Sequence, residues 1–353
     1  MEDEKDEILK KINLKRSNTK CSSEFLYLKF QEETLKKKKF LTRMPNIYSL
    51  FKGVIRSNID FITLKCDWYY YVLAVFSLIF SIGYTNQEKL LYVNYLLERG
   101  PYKMNPATYA NVDYEPLKLK TKDGVIISTW LMKQENKDAP TIIYFHGNAG
   151  DIAMRLPSAM QYFSLFNCHV MLVDYRGYGE SEGKPTEWGL KIDAETALDA
   201  ILERDDINKE RIFIFGRSLG GAVALDLVAK RHKDVAGAII ENTFTSVPDM
   251  IPSLFPYLSY LRIFSRNKWY NSERVKELPS NFPIAFVSGQ ADRLIPPSMM
   301  QKLYTTCTSE RKYIYKMENG THNDTWRCVY YLDRLWSFIS EVTGLPDEYT
   351  SFL

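Results

Sequence analysis

Ile212-Phe213-Ile214-Phe215-Gly216-Arg217-Ser218-Leu219-Gly220-Gly221-Ala222 carries an apolar run into a Gly-x-Ser-x-Gly turn and then straight into a small-residue helical pattern. The five-residue pattern is common by itself; its specificity comes from the strand before it and the helix after it. A serine hydroxyl is a poor nucleophile unless it is held beside a base and beside N–H donors for a developing oxyanion. A sharp turn between strand and helix meets that need. Gly216 and Gly220, lacking a Cβ, allow the turn to form and the helix to approach the strand. Ser218 is the candidate nucleophile.

Outward from this turn, short apolar runs alternate with longer helical stretches from Tyr114 onward, which predicts an α/β domain. Strands are expected near 115–121, 125–132, 141–145, 169–174, 211–215, 237–241, 284–288 and 312–317, the first two paired antiparallel across Lys122-Asp123-Gly124. Helical patterns fall near 151–166, 187–204, 219–231 and 324–342. The expected fold is a mostly parallel central sheet with helices on both faces over residues 114–343, with no internal repeat.

In such a sheet chemistry gathers at the carboxyl ends of the strands. The chain holds four histidines. His169 opens a strand, His232 lies in an Arg-His-Lys run at a helix end, and His146 closes the strand Thr141–Phe145 ahead of Gly147. His322 remains, in the polar loop Glu318–Asp324 after the last strand, where an imidazole reaches the serine and offers its other nitrogen to an acid. Taken alone, a loop histidine reads as a surface residue. Asp292, just after the strand ending at Ser288, is the candidate acid, and the chain order Ser218, Asp292, His322 suits the turn at Ser218. Glu241, ending another strand, is the rival; its other reading is a brace for the loop Asn242-Thr243-Phe244. In His146-Gly147-Asn148-Ala149-Gly150, backbone N–H groups aim at a developing negative charge, so Asn148 and Leu219 are the candidate oxyanion donors and His146 a brace. The two glycines read equally as ordinary turn residues.

Between Ser246 and Asn281 lie Met250, Ile251, Leu254, Phe255, Tyr257, Leu258, Tyr260, Leu261, Ile263 and Phe264, read either as a small cap over 246–281 suited to an apolar acyl group or as plain core packing.

Residues 68–84 carry no charge and are rimmed by tyrosines and a tryptophan, the pattern of a single membrane span with aromatic belts; a buried helix is the other reading. The segment starts too far from Met1 to be a cleaved signal and is expected to be a retained signal anchor. Lys52, Arg56 and Lys65 on one side balance Lys89, Arg99 and Lys103 on the other, and the run Lys36–Lys39 tips the N-terminus to the cytosol. The expected topology is single-pass type II, with the catalytic body in an endomembrane lumen or outside the cell. Residues 1–67 form a charged, partly disordered region, 85–113 a connector and 344–353 a tail.

Of the 353 residues, 45% are hydrophobic and 14% aromatic, enough for a large core. Residues 1–67 hold 15 Lys and Arg against 10 Asp and Glu, leaving the rest near neutral at 31 against 33. No basic stripe appears after residue 100, which excludes nucleic acid as the expected partner. The five cysteines, Cys21, Cys66, Cys168, Cys307 and Cys328, have no metal-ligand spacing; they read as free thiols, with Cys307–Cys328 the alternative pair in an oxidising lumen.

Together, Tyr144–Gly150, Asp174-Tyr175-Arg176-Gly177-Tyr178-Gly179, Phe215–Ala222, Glu241–Phe244, Asp292-Arg293-Leu294-Ile295-Pro296-Pro297 and Gly320-Thr321-His322-Asn323-Asp324-Thr325-Trp326 resemble the α/β-hydrolase domain-containing proteins, most closely the membrane-anchored thirteenth member and its fungal Bem-like relatives. The resemblance covers about residues 114–340. It implies an α/β-hydrolase fold, Ser218 as nucleophile with Asp292 and His322 as relay partners, type II topology, and a place among enzymes that remove acyl chains from lipids or proteins. The long charged N-terminus departs from the short tail of that family. Asn319-Gly320-Thr321 and Asn323-Asp324-Thr325 are glycosylation sequons flanking His322, and the resemblance favours Asn323.

The expected function is that of a membrane-anchored serine hydrolase acting on an ester or thioester of an apolar acyl group. The reaction calls for no metal or cofactor, and the expected partners are an acyl ester or acylated protein and a bilayer. A serine peptidase of the same fold and a catalytically inactive membrane scaffold are the alternatives.

Overall fold

A computed structural model describes residues 68–94, 102 and 104–347. The charged region 1–67, with Cys21, Cys66 and the Lys36–Lys39 run, and the end of the tail beyond 347 lie outside the described residues. The chain divides into two compact units, Met1–Leu78 and Ile79–Leu353.

Eight strands form one sheet in the order β1-β2-β4-β3-β5-β6-β7-β8. They are β1 (Glu115–Lys120), β2 (Ile126–Met132), β3 (Thr141–Phe145), β4 (His169–Val173), β5 (Ile212–Arg217), β6 (Gly237–Glu241), β7 (Ile284–Gly289) and β8 (Lys312–Met317). β2 runs antiparallel to both β1 and β4; every other neighbouring pair is parallel. Strands β3 to β7 are buried at every residue, which is why they read as unbroken apolar runs rather than as alternation.

Alternation still sorts their side chains between two cores. Ile143, Phe145 and Ile214 join the cluster under the helices Glu187–Leu202 and Leu219–Arg231. Ile142, Tyr144, Phe213 and Phe215 join the opposite one, with Leu156 and Tyr162 of the helix Leu156–Ser164 and Leu335 and Phe338 of the helix Tyr331–Thr343. The sheet is thus covered on both faces, as parallel sheets require.

Two expected helices are interrupted. The pattern near 151–166 begins as a 3-10 turn, Ile152–Arg155, before the α-helix Leu156–Ser164. The pattern near 324–342 splits into a turn at Thr325–Arg327 and the helix Tyr331–Thr343, because Tyr330 takes a left-handed φ of 65°. A helix at Pro297–Thr306 had no sequence signal beyond its leading prolines, since it buries only Met300 and Leu303.

The expected span forms a helix, Trp68–Thr85, of 18 residues without a charge. However, no helix among the described residues is long and apolar enough to cross a membrane, so the expected full span at 68–84 is left without support from the structure. Composition and length are the reason: tyrosines fill its first turn, Ser77, Ser81, Gly83 and Thr85 dilute its second half, and 18 residues rise roughly 27 Å against a hydrocarbon core of about 30 Å.

The connector docks on the body beyond this helix. Tyr92 is fully buried, its hydroxyl donating to Asn267 Oδ1 at 2.9 Å and accepting from Trp269 Nε1 at 3.1 Å. Cys168, Cys307 and Cys328 are free thiols.

Candidate active site

Strand β5 ends at Arg217, and Ser218 turns the chain into the helix Leu219–Arg231 with φ 56° and ψ −118°. That conformation is strained for a residue with a Cβ. It persists because the surroundings fix it: Ser218 N–H donates to the Glu241 carbonyl at 2.9 Å, and the Thr243 hydroxyl donates to the Ser218 carbonyl at 2.7 Å. The glycines on either side are needed for close approach. A Cβ on Gly216 would lie 2.1 Å from the Gly220 carbonyl oxygen, and one on Gly220 would lie 2.0 Å from that of Phe145.

The structure brings Ser218, His322 and Asp292 together. His322 Nε2 lies 3.0 Å from Ser218 Oγ, and His322 Nδ1 lies 2.7 Å from Asp292 Oδ2. Asp292 follows β7 and is buried; its other oxygen accepts from the N–H groups of Leu294 at 2.8 Å and Ile295 at 2.9 Å. With both oxygens occupied, the carboxylate has one orientation, and it points at the imidazole. Ser218 itself is 8% exposed.

Glu241 does not reach His322's ring nitrogens. Its carboxylate accepts from the Tyr331 hydroxyl at 2.5 Å and lies 3.6 Å from Arg217 Nε, a separation that gives attraction without a hydrogen bond. Burial pushes the Glu241 carboxyl above its ordinary range, against the downward pull of Arg217 and Tyr331. Arg217 donates instead to Asn323 Oδ1 at 2.5 Å. Asn323 and Asn319, the two sequon asparagines, are both exposed.

The turn after β3 lies against the serine, since a Cβ on Gly147 would sit 3.5 Å from that of Ser218. Among the described residues, the backbone N–H groups of Asn148 and Leu219 have no hydrogen-bond acceptor. The Asn148 side chain is pinned: its oxygen accepts from Val93 N–H at 3.1 Å and the Tyr178 hydroxyl at 2.9 Å, and its nitrogen donates to the Leu91 carbonyl at 2.5 Å. Sequence reasoning missed this tie between the connector and the turn, because its partners lie 55 and 57 residues away.

His146 is buried. Its Nδ1 donates to the Gly147 carbonyl at 2.7 Å, and its Nε2 lies 3.2 Å from Asp174 Oδ1 without hydrogen-bond alignment. Asp174 also accepts from the Tyr102 hydroxyl at 2.6 Å and from Ile152 N–H at 3.1 Å, so this second histidine–aspartate pair is tied to the framework, and neither side chain bonds the serine hydroxyl.

The apolar residues of 246–281 point outward for the most part. The helix Val247–Leu254 leads into a 3-10 segment, Pro256–Phe264, in which no residue is buried. Leu254, Phe255, Tyr257, Leu258, Tyr260, Ile263 and Phe264 are exposed, whereas Met250 packs against the core.

Residues 136–277 match the family model described as serine aminopeptidase, S33. The chain is 36% identical over 272 residues to protein bem46 of Schizosaccharomyces pombe, covering 76% of this chain and 91% of that one. It is 38% identical over 257 residues to the alpha/beta hydrolase domain-containing protein WAV2 of Arabidopsis thaliana, covering 68% and 82%. A protein of Saccharomyces cerevisiae named as an uncharacterized membrane protein is 34% identical over 258 residues, covering 73% and 90%. Among solved structures, an esterase of Pyrococcus furiosus is similar with a TM-score of 0.56 at 17% identity, covering 70% of this chain and 97% of that one. At that identity the likeness speaks to the fold alone.

Proposed function

Because this chain belongs to the Bem46-like family of α/β-hydrolase domain-containing proteins, we propose that it is a serine hydrolase cleaving an ester or thioester of an apolar acyl group. The observation that carries the reading is the continuous path from Ser218 Oγ through His322 to Asp292, at 3.0 and 2.7 Å.

In this mechanism the Ser218 hydroxyl oxygen attacks the acyl carbonyl carbon while its proton passes to His322 Nε2. Asp292 accepts the hydrogen bond from His322 Nδ1–H, which fixes the tautomer and offsets the imidazolium charge. The carbonyl oxygen, now carrying the negative charge, accepts from the N–H groups of Asn148 and Leu219. Collapse breaks the bond to the alcohol or thiol, which leaves with the proton from Nε2. Water then repeats the sequence on the acyl-enzyme, releasing the carboxylic acid and restoring Ser218.

We read the Trp68–Thr85 helix as embedded in a bilayer. It is uncharged, and large apolar side chains are exposed all around it, from Tyr69 and Phe76 to Ile79 and Ile82. A helix apolar on every side belongs in a protein core or in lipid. The relative named as a membrane protein is consistent with this reading.

A peptidase is the second reading, favoured by the matched family model, whose description is that of a serine aminopeptidase. Hydrolysis rates on acyl esters and thioesters of increasing chain length, set against aminoacyl amides, separate the two. The proposal expects turnover of the esters with a preference for longer chains. Turnover of the amides with inert esters would replace it by the peptidase.

A further inference from the structure

The segment Pro256–Phe264 exposes a run of large apolar side chains, with nothing among the described residues to cover them. Tyr257 is 94% exposed and Ile263 70%. A patch of this kind on a soluble surface marks a contact site. Three observations identify its occupant.

The first is continuity. Phe264 packs edge-on against Phe80 at 4.9 Å between ring centroids, and Gln87 clasps the end of the segment, donating to the Phe264 carbonyl at 2.9 Å and accepting from Arg266 N–H at 2.7 Å. Ile79, Ile82 and Tyr84, beside Phe80 on the same stretch of helix, are exposed as well. The apolar surface of the cap therefore runs on into the apolar surface of Ile79–Thr85.

The second is charge. Arg262, Lys268, Lys276 and Lys302 line a cavity of about 730 Å³ that also includes Ile263 of the exposed segment. Against these four basic side chains the lining sets two carboxylates, Glu273, which pairs with Lys276 at 2.9 Å, and Asp249, which accepts from the Thr245 hydroxyl at 2.6 Å. Among the described residues, Arg262, Lys268 and Lys302 have no ion-pair partner, so the cavity carries an excess of positive charge beside an apolar wedge.

The third is what the apolar side chains do not do. They point away from the core, so they are not the lining of an acyl pocket reached from within.

We infer that residues 254–264 are a membrane-inserting wedge on the catalytic body, flanked by a basic cradle for anionic lipid headgroups. Apolar side chains seated at the acyl boundary with basic residues at headgroup level are the recognised arrangement of an interfacial element. The inference rests on the membrane reading of the Trp68–Thr85 helix, and it adds a second point of contact.

The test uses the full chain in the Ser218→Ala form, with Cys21, Cys66 and Cys328 replaced by serine and an environment-sensitive dye attached at Tyr257→Cys. Tyr257 is almost wholly exposed, so its replacement leaves packing intact. The same dye at Lys209→Cys, just before β5 and so at the opposite end of that strand from Ser218, is the reference. The chain is reconstituted in phosphatidylcholine vesicles containing a spin-labelled lipid as quencher, with and without phosphatidylserine. The expected result is a blue shift and several-fold stronger quenching at 257 than at 209, increased by phosphatidylserine. Neutralising Arg262, Lys268 and Lys302 to alanine is expected to remove that increase. Equal quenching at the two positions in vesicle-bound chain overturns the proposal, as does a blue shift at 257 that persists without lipid, which would assign the wedge to a second copy of the chain. Neither readout requires catalysis, so a failed wedge leaves the hydrolase reading standing, and an inert Ser218 leaves the wedge standing. Chain that does not stay with vesicles at all would instead remove the membrane reading on which both contacts depend.

Discussion

Arg217 donates through Nη2 to Asn323 Oδ1 at 2.5 Å, so the residue just before the serine is tied to the residue just after the histidine. The guanidinium is buried and also faces Glu241 at 3.6 Å. The turn at the end of β5 and the loop after β8 belong to separate parts of the chain, 106 residues apart for this bond. One side chain thereby joins the turn that carries Ser218 to the loop that carries His322. On the proposed mechanism Arg217 is therefore a positioning residue.

Replacing it tests that role. Arg217→Met is expected to lower kcat roughly 10- to 100-fold with little change in KM, since a small misplacement of the imidazole costs about that much. It also leaves the buried Glu241 carboxylate with Tyr331 alone, at a stability cost of about 1–3 kcal/mol. Asn323→Leu should reproduce the kcat loss, whereas Asn323→Asp, which keeps an acceptor, should stay near wild type. Steady-state kinetics and thermal melts of the four proteins check this; an unchanged kcat in both Arg217→Met and Asn323→Leu contradicts it.

The φ of 56° at Ser218 stores backbone strain that glycine would not feel. Ser218→Gly should therefore abolish hydrolysis and raise stability by about 1 kcal/mol, the relief of strain exceeding the added flexibility of the unfolded chain. Urea denaturation measures the difference. A loss of stability would mean that the hydroxyl's contact with His322 outweighs the strain.

Gly220→Ala should prevent accumulation of soluble protein or cost more than about 4 kcal/mol, because the new methyl meets the Phe145 backbone and not a side chain that can move. Gly83→Ala, with nothing within 4 Å of the added carbon, is the matched control and should be neutral or slightly stabilising. Expression yield and melting temperature of the pair decide the point.

The strands were legible because β3 to β7 are buried on both faces and so read as apolar runs of five or six residues bounded by turn residues. His322 was legible by elimination among four histidines, and Asp292 by its place just after an apolar strand. What escaped depends on distant partners or on direction. Nothing local to Asn148 signals that its side chain holds Leu91 and Val93, and nothing local to Tyr102 signals Asp174. The cap's composition was visible, but sequence does not say whether Tyr257 and Ile263 face a pocket or the outside. The helix Pro297–Thr306 was silent because its exposed face is polar and its buried face is narrow.

The two acids near the loop should separate in kinetics. Asp292→Asn keeps the shape of the side chain but no longer holds the required tautomer, and should lower kcat by about 10³- to 10⁴-fold. Glu241→Gln, whose carboxylate meets Arg217 and Tyr331, should lower it less than about tenfold. The reverse order of effects would exchange their roles.

The proposed hydrolysis depends above all on Ser218 being the nucleophile. Treating the purified full chain with a fluorophosphonate and mapping the adduct by mass spectrometry tests it directly. A single phosphonyl adduct is expected on the peptide containing Ser218, formed at least about a hundredfold more slowly in His322→Ala and absent in Ser218→Ala. An adduct on another residue, or labelling that survives in Ser218→Ala at the wild-type rate, would contradict it.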